Sequence, residues 1–170
     1  MNVWRENLPI LRFVGLFALL FTAFQISYYE FIVGSAAFHS YLVASCKAAA
    51  ALLGITGEEV TAIGDVLRGK FTLSVKVGCD GLQAMGILLV AVLVFPGCSP
   101  KRKLVGLFMG LGLVLILNVV RIASLFWAGL HLPGVFQTMH VHIWPAFLIF
   151  SALLFWTLWA LWAARPRRVA

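Results

Sequence analysis

Residues 104–128 read LVGLFMGLGLVLILNVVRIASLFWA, twenty-five positions that hold one charge, Arg121, and one side-chain amide, Asn118. As a helix rising 1.5 Å per residue, this run is about 37 Å long, more than the ~30 Å hydrocarbon core of a bilayer. The rest of the chain fits the same solvent. Of its 170 residues, 62% are apolar and 11% are charged, and the mean hydropathy is +1.01. An ordinary soluble domain is about half apolar and a quarter charged. A soluble globular enzyme is therefore excluded. The expected fold class is an all-α polytopic membrane protein, a single membrane-embedded domain over 1–170.

Outward from this run, three further stretches are long enough, or nearly so, to cross the membrane: 13–33, 81–96 and 140–163. Thirteen Lys and Arg against six Asp and Glu give a net charge of +7, and the basic residues sort around these spans. Arg5 and Arg12 precede the first. Lys101, Arg102 and Lys103 lie between the second and third, and Arg165, Arg167 and Arg168 follow the last. The positive-inside rule puts all three groups, and both termini, in the cytoplasm, as an even number of spans allows. The expected location is a cell inner or plasma membrane. Segments 34–80 and 129–139 then face the other side, where Lys47, Arg68, Lys70 and Lys76 are offset by Glu58, Glu59, Asp65 and Asp80. The charge is thus a topology signal, and no basic face interleaved with aromatics invites nucleic acid.

A cleaved leader is the alternative reading of the first span. Its small-residue site comes only at 34–37, after Gln25, Ser27 and Glu30, which is late for cleavage. In the outer segment 34–80, residues 35–53 carry His39 and Lys47, which suit an interfacial helix better than a fifth span. Residues 70–77 alternate apolar and polar, predicting a short strand or hairpin arm that leads into Gly78.

Three polar side chains reach one depth. An Arg in a span costs several kcal/mol and is a functional candidate by default. Arg121 lies 17 residues after Leu104, about 26 Å above the cytoplasmic boundary, and Asn118 on the same helical face is placed to hold its guanidinium. The bland alternative is an Arg that snorkels to outer headgroups. Cys79 precedes Pro96 by 17 residues and reaches the same height. In Gly78-Cys79-Asp80-Gly81-Leu82-Gln83, Asp80 reads as a helix N-cap answered by Gln83, and the macrodipole beside Cys79 favours thiolate. Its bland alternative is a buried structural cysteine. His140 lies 22 residues before Trp162, about 33 Å, again at the outer rim, where a lone His is usually interfacial decoration.

The conjunction is what favours a site. Acyl chemistry at cysteine needs a thiolate, a proton carrier and a cation for the oxyanion, and Cys79, His140 and Arg121 supply those roles. His142 points to a different face, His131 and His39 lack a partner, and neither a metal nor a cofactor is implied. Cys98 lies on the cytoplasmic side. Cys46 shares the outer side with Cys79, so a disulfide between them is the silent alternative. The lack of any Cys-x-x-Cys disfavours a disulfide-exchange enzyme.

The segments 78–83, Asn118-Val119-Val120-Arg121-Ile122 and His140-Val141-His142-Ile143-Trp144-Pro145 resemble the three motifs of the exosortase/archaeosortase family, polytopic membrane enzymes regarded as cysteine transpeptidases. The resemblance covers 77–145 and rests on the order Cys, Asn-x-x-Arg, His. It implies Cys79 as nucleophile, Arg121 as stabilising cation and His140 as general acid or base, with Asp80 and Asn118 in support. His140 is preferred over His142 because it stands four residues before the Trp-Pro. With four apparent spans rather than about eight, the chain is similar to a compact form, most of all exosortase H. The implied partners are secreted proteins with a carboxy-terminal motif, a transmembrane helix and a basic tail. A rival from another class is a non-enzymatic membrane adaptor in which Arg121 pairs with a partner helix. Transport is disfavoured, since no span carries a mid-depth charge and no inverted repeat is visible.

Overall fold

The computed structural model describes residues 3–165. Arg167 and Arg168, counted in the cytoplasmic excess, lie outside the described residues, as does the side chain of Arg5. The chain is mostly helical: α1 (Val3–Ser27) runs into a π-helical turn (Tyr28–Ile32), then come α2 (Ala36–Ile55), α3 (Leu82–Val94), α4 (Pro100–His131) and α5 (Pro133–Thr138). A second π-helical turn (Met139–Ile143) leads into α6 (Trp144–Ala163). Local chemistry sets the breaks. The Ser35 hydroxyl caps α2 by accepting from the Phe38 N–H at 3.1 Å, Pro100 opens α4 at a position that needs no donor, and Pro96 bars α3 from continuing.

Four helical segments are long and apolar enough to cross a membrane: Ile10–Ile32, Ala36–Ile55, Pro100–His131 and Pro133–Ala163. Three of them contain or overlap the predicted spans. The fourth is α2, expected as an interfacial helix, whose flanking alanines and leucines outweigh His39 and Lys47. The predicted span 81–96 instead yields the 13-residue α3, about 20 Å long. Its first turn stands beside Asn118 of α4, and its last turn is met by Lys103, whose ammonium donates to the Leu93 carbonyl.

At 32 residues, α4 is about 48 Å long and organises the core. Its first half packs Val114 against Leu88 and Val92 of α3 and Trp159, Ala160 and Ala163 of α6. Its second half packs Ile122, Ala123 and Phe126 against Phe38, Leu42, Cys46 and Leu53 of α2. A three-stranded antiparallel meander covers the latter cluster: β1 (Thr61–Ile63), β2 (Val66–Arg68) and β3 (Thr72–Ser74), with Thr61 opposite Arg68 and Val66 opposite Ser74. Leu67 is buried completely. The strand expected over 70–77 shrinks to β3, and β1 and β2 join it. At the far end, Arg102 donates to the carbonyls of Ala163 and Arg165 at 2.7 and 2.6 Å, satisfying the end of α6.

Candidate active site

The site lies where the two clusters along α4 meet. The loop between β3 and α3 carries Cys79, with left-handed glycines on either side at φ +87° (Gly78) and +79° (Gly81). Asp80 anchors this loop and is fully buried. Its carboxylate accepts from the Gly78 N–H and the Leu82 N–H, both at 2.8 Å, and from the Tyr28 hydroxyl at 2.7 Å. Its carbonyl accepts from Asn118 Nδ2 at 2.9 Å and from the Tyr41 hydroxyl. Three donors on one carboxylate offset its desolvation without a cation.

This arrangement corrects three expectations. The N-cap residue is Gly81, and Asp80 stands one position earlier while still taking the first helical N–H. Gln83 does not answer it; its amide donates to the Tyr29 hydroxyl at 2.8 Å. Asn118 does not hold Arg121 but holds the loop. It packs so closely that a Cβ on Gly81 would lie 2.9 Å from its Cγ. Glycine is thus required there by both backbone conformation and space.

Cys79, Arg121 and His140 come together from three separate segments. The Nε2 of His140 lies 2.8 Å from the Cys79 Sγ. The Nη2 of Arg121 lies 3.7 Å from the same sulfur. Arg121 is 4% exposed, which replaces the snorkelling alternative with an inward-facing cation. Among the described residues its Nε has no hydrogen-bond partner and no carboxylate lies within 4 Å of its guanidinium. Burial raises the Cys79 thiol above the ordinary range, Arg121 pulls it back down and Asp80 pushes it up. Desolvation is the largest of these influences and opposes the macrodipole expected to favour thiolate.

The other candidates fall outside this cluster. His142 and His39 are exposed, and His131 pairs with Glu58 at 2.8 Å on the surface. Cys46 is a free, fully buried thiol, and Cys79 is free as well, so no disulfide silences it. No group of three or more His, Cys, Asp or Glu able to hold a metal occurs among the described residues.

Sequence reasoning missed Tyr28, Tyr41 and the two π-helical turns. Tyr28 and Tyr29 lie in the first turn and His140 in the second. π-turns recur at functional sites because one extra residue re-aims the side chains around it. A cavity of about 130 Å³ opens beside the cluster, lined by Gly78, Asp80, Gly81, Arg121, Pro145 and Leu148 among others. Compared with known proteins, the chain matches no protein-family model, no curated protein and no solved structure.

Proposed function

We propose that this protein is a membrane-embedded cysteine peptidase or transpeptidase of the exosortase/archaeosortase kind, in a compact form most similar to exosortase H. Its substrates are secreted proteins carrying a carboxy-terminal motif, an apolar helix and a basic tail. The observation that carries the reading is the sulfur of Cys79 held between the His140 imidazole at 2.8 Å and a buried Arg121 with no carboxylate partner among the described residues. An Arg committed to this sulfur is unavailable to a partner helix, which disfavours the adaptor alternative.

In the first step, the Cys79 S–H proton passes to His140 Nε2 and the thiolate attacks the substrate carbonyl. The oxyanion that forms faces the guanidinium of Arg121, which lines the adjoining cavity and has no carboxylate partner among the described residues. The C–N bond breaks, His140 returns its proton to the departing amine, and an acyl thioester remains on Cys79. An incoming amine, hydroxyl or water then gives a proton to His140 and displaces the sulfur.

The protein sits in the inner or plasma membrane with both ends cytoplasmic and Cys79 on the outer side. Two features support this orientation. The basic cluster Lys101 to Lys103 opens α4, whereas Cys79 meets α4 at Arg121, about 27 Å or more further along. In addition, α4 exceeds the hydrocarbon core by about 18 Å, and its last turns pack against α2 and the sheet. In this reading α1, α4 and α6 cross, the chain crosses a fourth time through the short α3 together with the residues that flank it, and α2 with the sheet caps the outer face.

The test is the intermediate. A hydroxylamine-labile acyl adduct should be recovered on Cys79 from membranes that contain substrate, and not on Cys46 or Cys98. Adducts spread equally over the three cysteines, or none on Cys79, would remove the thioester route.

A further inference from the structure

Helices α1, α3 and α6 leave a groove between them. About 210 Å³ in volume, it is walled by Phe13 and Phe17 of α1 and by Ala152 and Trp156 of α6, and it is floored by Ala84 and Ala91 of α3. Three of its residues, Ala84, Ile87 and Ile149, also line the cavity that Arg121 lines, so the groove adjoins the space beside the site. Both α3 and α6 start at the site and run away from it. From Gly81 to Ala91 is about 15 Å of helix, and from Pro145 to Trp156 about 17 Å.

The composite space is polar only at the site end. There the guanidinium of Arg121 lines it beside the glycine loop. Everything below is hydrocarbon. Its floor is built for close approach, since Ala84 and Ala91 lie two turns apart on one face of α3 and Ala152 faces the same space. Small residues so placed let a second helix pack backbone to backbone, which a flexible acyl chain has no need of. The rings of Phe13 and Trp156, stacked at 6.2 Å, wall the lower end.

We propose that this groove seats the apolar helix of the substrate, the segment immediately carboxy-terminal to the bond that Cys79 attacks. The proposal rests on the peptidase reading above and adds where the anchor docks. A helix lying along α3 brings its amino-terminal end to the Gly78 to Gly81 loop, which places the scissile carbonyl beside the Cys79 sulfur and the Arg121 guanidinium. Bilayer confinement then supplies most of the encounter, and the groove supplies register.

The experiment uses the full-length protein in its own cells, with the Cys79→Ala variant holding substrate uncleaved. A benzoylphenylalanine photo-cross-linker replaces Leu153, which lines the groove and is 54% exposed, or Phe108 on α4, which is 79% exposed, as the control. The expected result is a cross-link from position 153, and not 108, that maps within the carboxy-terminal apolar helix of the protein that accumulates unprocessed. In parallel, Ala91→Phe should slow processing about tenfold or more by overfilling the groove, with maleimide labelling of Cys79 unchanged. Cross-links to lipid alone, equal cross-linking from position 108, or unaltered processing in Ala91→Phe overturns the groove while the cleavage reading stands. Processing that survives Cys79→Ala overturns both.

Discussion

His140 Nε2 stands 2.8 Å from Cys79 Sγ across sixty-one residues of sequence. This pair makes the loop before α3 and the π-turn before α6 a single chemical unit. In the proposed reaction the imidazole takes the thiol's proton when a carbonyl arrives, and the buried guanidinium of Arg121, 3.7 Å from the sulfur, stabilises the anion.

The first consequence concerns pH. Since burial raises the Cys79 thiol and Arg121 lowers it, thiolate grows in as pH rises, with a midpoint above that of a free thiol. Removing the cation in Arg121→Ala moves that midpoint higher still. The rate of maleimide labelling at neutral pH should fall about tenfold for each unit of displacement. A profile that stays in place in Arg121→Ala contradicts the proximity of cation and sulfur.

Asp80 should matter to stability more than its chemistry suggests. Asp80→Ala leaves the Tyr28 hydroxyl, the Gly78 N–H of the loop and the Leu82 N–H that opens α3 without their acceptor inside the protein, at a cost of about 3–5 kcal/mol. Tyr28→Phe removes one charge-assisted bond and should cost about 1.5–3 kcal/mol. Thermal unfolding in detergent checks both, and equal, small shifts would show that Asp80 is not the anchor of the loop.

Gly81 is constrained twice. Gly81→Ala places a side chain at φ +79° and against Asn118, which together should destabilise by about 2–4 kcal/mol. Adding Asn118→Ala relieves only the contact, so the double variant should recover part of the loss. Full recovery would mean that the left-handed backbone carries no strain.

Orientation is read by a membrane-impermeant maleimide applied to intact cells. Cys79 should label, Cys98 should not, and the fully buried Cys46 should label only after unfolding. Labelling of Cys98 ahead of Cys79 would invert the topology.

What the sequence revealed and what it hid follow from different physics. Arg121, Cys79 and His140 were legible because a polar group in an apolar run is conspicuous and helical rise converts position into depth. The count that put Cys79 and Arg121 at one height foreshadows the 3.7 Å approach. The partners of Asp80 were not legible. Tyr28 ends an apolar run, where tyrosine commonly marks the membrane interface, and nothing in its spacing announces a carboxylate fifty-two residues away. The π-turns were hidden because one extra residue shifts every later side chain off the 3.6-residue face count. Strands of three residues, such as β1 and β2, fall below any periodicity, and the short α3 was overestimated because its apolar run continues beyond the residues that stay helical.

The central claim, that Cys79 cleaves an anchored substrate, is tested most directly by the intact mass of a secreted protein that ends in an apolar helix and a basic tail. Masses are taken from cells carrying the native protein and from cells carrying Cys79→Ala. The account predicts a shortened carboxy terminus in the first and the full-length, tail-bearing form in the second. The same shortened mass in both would contradict it.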